Sequence, residues 1–411
     1  MSVVTVAVLV VLWRWIDGLA LTDPEKRATT QLDALKLAAS IVVGGGGLFA
    51  LYLAARRQHT QELELDARQA ELAQRDRIQA HAEQVAETNR LHAERIAADT
   101  YADAAARRIT ELYAKSVEQL GSDKAPVRLG GLYALERLGQ DNPDRPALRQ
   151  TVVDVLCAYL RMPFTLPGDR PSDDADEQVR ARYDERTQER EVRLTAQRIL
   201  AAHLRPDLDF DQQDMTFWLD IDLDLTGATL MDFRLTGCRV RQATFDAVWF
   251  VEHASFREAV FEGDGMFDGA VFSDGTSFDG ATFHGFAGFV NVQFDNVGFS
   301  TAKFSKGAMF GSAVFQRDVR FGDVVFEQTA WFRGARFAGS AQFARVIFGK
   351  NADFDGVQFI GDVVLDECAV RHPTPIASRW PDGWRTAEKQ AAPGGRSGTW
   401  HRVARVDSVD T

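Results

Sequence analysis

A chain of 411 residues with 45% apolar side chains is long enough for two or three structural regions and a sizeable core. Its formal net charge of −12 sits in one stretch: residues 205–369 hold 13 Lys and Arg against 25 Asp and Glu, while the remainder balances at 34 of each sign. No direct nucleic-acid binding is expected from such a chain, because a phosphate backbone calls for the opposite sign.

The three cysteines, Cys157, Cys238 and Cys368, lie far apart and form no CxxC or Cys/His spacing. That usage points to a reduced compartment and argues against zinc or a disulfide framework.

In chain order, the first apolar stretch is "MSVVTVAVLVVLWRWIDGLAL". It lacks a basic leader and an A-x-A cleavage site, so it reads as a first transmembrane helix rather than a secretory signal. The second, "LAASIVVGGGGLFALYLAA" (37–55), carries no charge for 19 residues between Lys36 and the Arg56–Arg57 pair. Its length suits a bilayer span of about 20 residues, and its four glycines favour close helix packing. Basic residues flank both ends of this helix, so charge does not fix its orientation. Cysteine usage and the missing signal place the bulk of the chain in the cytoplasm, tethered to the cell membrane.

From Leu48 to Leu120 there is no glycine or proline, and Ala, Glu, Gln and Arg dominate beyond the membrane segment. These residues favour helix. Leu65, Leu72, Ile78, Val85, Leu91 and Ile96 recur near sevenfold spacing, which predicts a stalk that self-associates as a coiled-coil homodimer. Two short amphipathic helices follow within 120–164, joined at "DNPDRP", and a third is expected over roughly 178–204.

From Phe245 to Phe359, phenylalanine recurs at 22 positions in steps of five and six. The residue two before each is Ala in 13 cases, Val in 7, and Gly265 or Thr276 in the other two. Residues two apart on an extended segment face the same side, so each unit sends one small and one large side chain inward. A step of five along a flat strand would turn the next phenylalanine outward, hence a corner must intervene. Gly, Asp, Asn and Ser between the phenylalanines supply it. Four such sides close one coil. Val240, Leu235, Leu230 and Leu225 continue the register upstream and Leu365 downstream, which makes close to seven coils at roughly 4.8 Å each.

Units such as "ATFDA", "ASFRE", "AVFEG", "ATFHG" and "ADFDG" resemble the A-(D/N)-L-x-x signature of pentapeptide repeat proteins, with Phe at the centre. The resemblance implies a mainly β fold, a right-handed quadrilateral β-helix, behind an N-terminal α-helical anchor, stalk and small helical domain. The segment "LGSDKAPVRLGGLYALERL" (120–138) also resembles the linker of membrane-anchored actinobacterial members with two N-terminal transmembrane helices. The expected organisation is a first transmembrane helix and loop at 1–34, a transmembrane helix at 35–55, a stalk at 56–119, a helical domain at 120–204, the β-helix at 205–369, and at 370–411 a cap with Trp380 and Trp384 followed by a disordered tail.

No catalytic, cofactor-binding or metal site emerges, and no cofactor is expected. The eight histidines form no pair at metal spacing, and no Ser or Cys sits in a nucleophile motif. His253 and His284 read as solvated surface groups. Asp353 and Asp355 point outward together, an arrangement open to a cation but more typical of a solvated solenoid surface. Asp207, Asp209, Asp211, Asp214, Asp220, Asp222 and Asp224 crowd into 18 residues. They read as plain solvation, or as an acidic seam between the helical domain and the first coil. The functional expectation is a membrane-tethered, non-enzymatic protein-interaction scaffold whose partner the sequence does not name. The alternative is an acidic DNA mimic that binds a topoisomerase-like enzyme, as some pentapeptide repeat proteins do.

Overall fold

The structure is a computed structural model that describes residues 2–18, 24–206, 216–372 and 378–406. The chain forms two units, Met1–Ala104 and Ala105–Thr411.

The first unit contains α1 (Ser2–Gly18) and the greater part of α2 (Pro24–Leu120). Within α2 a window of mean hydropathy 1.9 makes it the one described helix long and apolar enough to cross a membrane. Its apolar residues Ile41, Val43, Leu48, Phe49 and Leu51 are exposed. At 17 residues, α1 lies at the lower end of the about 17–25 that span a bilayer. Gly44, Gly46 and Gly47 have open space where a Cβ would stand. Beyond Arg57 the helix surface carries local ion pairs such as Glu71–Arg75 (2.7 Å), and the stripe Leu65, Leu72, Ile78, Val85, Leu91, Ile96 is exposed.

In the second unit, α3 (Ala125–Gln140) and α4 (Pro146–Arg161) each begin with a proline in the first turn, where the missing N–H costs nothing. The longer α5 (Glu177–Leu204) is capped by Asp176, whose carboxylate accepts the Gln178 N–H at 2.7 Å. Leu132 and Leu135, Val152, Val153, Leu156 and Leu160, and Val192, Ala196, Ile199 and Leu200 form their common core. One polar network lies within it. The buried Arg193 donates to the carbonyls of Leu160 (2.9 Å) and Met162 (2.8 Å), and pairs with Glu189 (2.8 Å). Glu189 also accepts from Tyr159 and pairs with Arg128, so the buried cation is fully answered.

Residues 222–370 wind into a β-solenoid whose strands pair in parallel with those one coil away. Each coil contributes to four ladders. The first runs through 222–224, 242–244, 265–266, 287–288, 308–309, 330–331 and 352–353, giving seven coils. The second starts at Thr229 and ends at Phe359, the third runs from Phe233 to Asp366, and the fourth from Arg239 to Val370.

Every register phenylalanine from 245 to 354 is buried, as are the small residues two before it. Rings one coil apart stack, from 4.3 Å between Phe250 and Phe272 to 5.5 Å between Phe326 and Phe348, and rings on opposite sides of the interior meet edge to face, as for Phe278 and Phe289 at 5.4 Å. The five-residue steps turn after the first and third ladders, each through one left-handed residue. After the third ladder these are Gly237, Glu258, Gly280, Thr301, Asp323, Arg345 and Glu367. The six-residue steps fall at the other two corners, where the additional residue opens the bend. The exception is Phe294 to Phe299, where the coil shortens and the strand register shifts between Phe294 and Asn296.

Both ends of the solenoid are covered. At the first coil, the Gln150 side chain from α4 bonds both the N–H and the C=O of Asp222 at 2.9 Å. Gln197 from α5 does the same for Met231, at 3.1 and 2.6 Å. Two glutamines thus take the place of a preceding strand. At the far end Trp380 lies 5.5 Å from Phe348 and 5.9 Å from Phe354. Arg379 pairs with the last strand of the first ladder, accepting from the Phe354 N–H and donating to Ala352 C=O. In place of the expected disordered tail, residues 384–390 and 399–405 form an antiparallel hairpin that extends the fourth ladder through Ala369–His372. Alternating apolar residues make this possible: Trp400 and Val403 are buried, and Trp384 packs against the core.

Candidate interaction surfaces of the solenoid

With the interior filled by phenylalanine, chemistry is confined to outward residues and corners. Many of the acids counted in the sequence turn out to brace successive coils. The carboxylates of Asp246, Asp264, Asp268, Asp279 and Asp318 accept the backbone N–H of Asp268, Phe286, Val290, Ser300 and Ser340, at 2.8–3.0 Å. Each N–H lies one coil onward, at a corner where the strand ladder lapses. A charge-assisted bond satisfies it there. Burial, outweighing the Val290 N–H, pushes the Asp268 carboxyl above its ordinary value, with the neighbouring Asp246 adding to the shift.

Other acids are ion-paired: Glu252 with Arg190, Glu262 with Arg239, Asp232 with Arg234, and Asp323 with Arg345. Asp222 pairs with Arg241, and Asp224 with Arg161 of α4. For Asp222 and Asp224 the structure therefore has the seam arrangement, with α4 against the first coil. Asp207, Asp209, Asp211 and Asp214 lie outside the described residues. Asp353 and Asp355 do not converge on a cation: Asp353 accepts the Asp355 N–H, and Asp355 pairs with Arg379 (2.8 Å) and Arg333 (3.3 Å).

The histidines are separated. His203 is buried, stacked on Trp218 at 4.3 Å and bonded to Glu136 and the Thr216 carbonyl. His284 lies 3.9 Å from Glu262, and His401 bonds the Ala387 carbonyl. Among the described residues no three His, Cys, Asp or Glu side chains are placed to hold a metal. Burial raises all three thiols, Cys157 and Cys368 to about 12 and Cys238 to about 11.

The repeat geometry is matched by a family comparison at both ends of the solenoid. Residues 225–270 and 321–369 match the model for pentapeptide repeats (9 copies). No curated protein and no solved structure matches the chain.

Stacking the coils brings together residues that stand far apart in the sequence. In the first ladder the outward positions Met266, Gly288, Met309 and Trp331 are successive partners. Phe286 stands at the adjoining corner. Phe286 and Trp331 are 43% and 36% exposed. A Cβ on Gly307 would lie 2.5 Å from the Trp331 ring and 3.2 Å from that of Phe286, and one on Gly288 would lie 2.5 Å from Met266. The glycines therefore form a floor on which these side chains lie flat. The signal was present in the sequence at separations of 22, 21 and 22 residues, one coil each. Outward residues look unrelated until the coil length is applied.

A second feature is an open groove between α5 and the first coils, lined by Arg198, Arg205, Arg234 and Arg239 with Glu258. Arg205 donates to the Thr236 carbonyl at 2.9 Å, and the other three guanidiniums have carboxylate partners in Glu191, Asp232 and Glu262.

Proposed function

We propose that this chain is a membrane-tethered, non-enzymatic scaffold whose pentapeptide repeat solenoid, a right-handed quadrilateral β-helix, presents flat faces to a protein partner. The single observation that carries the reading is the filled interior. Among the described residues, seven coils packed with phenylalanine, and with leucine in the first, leave no internal space for a substrate, and outward carboxylates such as Asp268 and Asp355 are engaged in bracing and ion pairs. What remains available is surface, the usual currency of a repeat protein.

The apolar window of α2 supports the tether, and α1 would complete a two-helix anchor of the membrane-anchored type, with the bulk of the chain cytoplasmic. The exposed stripe from Leu65 to Ile96 supports a homodimeric stalk. The test is to float membranes from cells making the full chain or a form lacking residues 1–55, extract them with alkaline carbonate, and crosslink through a photoreactive residue at Ile78. The reading expects only the full chain to resist extraction and Ile78 to link to a second copy. Release of the full chain by carbonate would overturn the tether.

A further inference from the structure

The reading as a partner-binding scaffold leaves open which face binds and what chemistry it takes. The strip over Met266, Phe286, Gly288, Gly307, Met309 and Trp331 differs from the rest of the surface. Its four paired strand positions, Met266, Gly288, Met309 and Trp331, carry no charge in a chain of which 26% is charged, with Asp268 beside Gly288 and Asp353 next in register after Trp331. Two aromatic rings and two methionines face solvent there, a composition typical of binding surfaces.

Size limits the occupant. Three coil spacings at about 4.8 Å give a length of about 14 Å, and three residues of strand a width of about 10 Å. The resulting area is well below the about 800 Å² per partner that a stable protein dimer buries. A second copy is thus a poor match, and a short segment is a good one.

Charge narrows it further. The acids bordering the strip are engaged: Asp264 and Asp268 by backbone N–H groups of the next coil, Glu327 by Arg396 at 2.9 Å, and Asp355 by Arg379 and Arg333. Two lysines beside the strip have no such carboxylate. The Lys306 ammonium lies 5.6 Å from the centre of the Phe286 ring, and neither Lys306 nor Lys350 has a carboxylate partner among the described residues. Both are exposed. The strip is therefore bordered by two lysines without carboxylate partners, while the carboxylates of Asp264, Asp268 and Asp353 at its borders are held by backbone N–H groups.

We propose that this strip docks a short acidic, amphipathic segment of a protein partner, its apolar side chains covering Phe286, Met309 and Trp331 and its carboxylates reaching Lys306 and Lys350. The inference rests on the scaffold reading and specifies the face and chemistry it leaves open. Apolar contact supplies affinity and the lysines choose among apolar sequences.

The experiment is a selection of phage-displayed random short peptides on the full-length protein in detergent, with each enriched peptide then measured by fluorescence anisotropy against wild type, Trp331→Ala and Lys306→Glu. Both changes are on the surface, and an unchanged melting curve confirms that the fold is intact. The proposal expects enriched peptides rich in aromatic or aliphatic residues and in Asp or Glu, losing at least about tenfold in affinity to either variant. It is overturned if no peptide enriches, if enriched peptides are basic, or if they bind Trp331→Ala as well as wild type. Self-association of wild type that disappears in Trp331→Ala would assign the strip to a second copy. Trp331-dependent binding to phosphatidylglycerol vesicles without acidic-peptide binding would assign it to lipid. Any of these results would leave the scaffold reading standing, because carbonate extraction and stalk crosslinking test that independently.

Discussion

Replacing Phe299 by alanine tests whether the phenylalanine column carries the solenoid's stability. Phe299 is fully buried, stacked at 5.0 Å on Phe278 above and on Phe321 below. Its ring also meets those of Phe289, Phe294 and Phe310 edge to face at 5.5–5.9 Å. Truncation removes these five contacts and a tilted sixth with Phe304 at 6.4 Å, and paired strands on both sides keep the cavity from collapsing. The expected cost is about 3–5 kcal/mol, the upper range for large-to-small core changes. Phe359, in the last coil, provides the control. It is only half-buried and has a single stacked neighbour, Phe337 at 4.8 Å, so Phe359→Ala should cost about 1–2 kcal/mol. Hydrogen exchange followed coil by coil with mass spectrometry reads both the magnitude and the location. In a nearest-neighbour architecture, Phe299→Ala should strip protection first from the strands that lead into Phe278 and Phe321, Val271–Ser277 and Val319–Arg320, whereas Phe359→Ala should affect only the final coils. Equal costs at the two positions, or less than about 1 kcal/mol at Phe299, would refute the argument that stacked rings rather than backbone ladders set the stability.

Thr301 holds a left-handed conformation (φ 61°) that a β-branched residue disfavours, so Thr301→Gly should raise the denaturation midpoint, by about 0.5–1 kcal/mol after the glycine's greater unfolded-state entropy is deducted. Gly280→Thr, at the equivalent corner with φ 72°, should lower it by about 1–2 kcal/mol, since its Cβ would also press the Glu258 side chain at 3.2 Å. Asp268→Ala should cost about 1–2 kcal/mol by orphaning the Val290 N–H, while Asp268→Asn keeps an acceptor and should cost less. Because burial raises the Asp268 carboxyl, its contribution is present at low pH and lost as pH rises through its folded value, so wild type should lose stability relative to Asp268→Asn across the carboxylate range. The buried thiols should resist alkylation at neutral pH until the chain unfolds, when all three become reactive. Their folded values are raised, so the stability they confer is full below the ordinary thiol range and declines as pH climbs through about 11 to 12, measurable as a falling melting temperature.

The sequence by itself determined the interior. Each phenylalanine and the small residue two before it face inward because of strand geometry, and each corner follows from a step of five or six. These are relations within a few residues, so one strand's pattern suffices to read them. Helices α3, α4 and α5 were equally legible from their prolines, acidic cap and apolar spacing. What only the tertiary structure decided lies between residues far apart in the chain. Gln150 and Gln197 look like ordinary helix-surface residues until the first coil's edge is placed against them. In the sequence the acids of residues 205–369 count only toward a net negative charge. Coil stacking instead sets Asp246, Asp264, Asp268 and Asp279 against backbone N–H groups 21 or 22 residues onward and brings arginines to several others. The strip of Phe286, Met309 and Trp331 likewise exists only once the coils are stacked. Inward residues repeat because every coil imposes the same cavity on them. Outward residues are free to vary, and so their grouping is fixed by which coil lies above which.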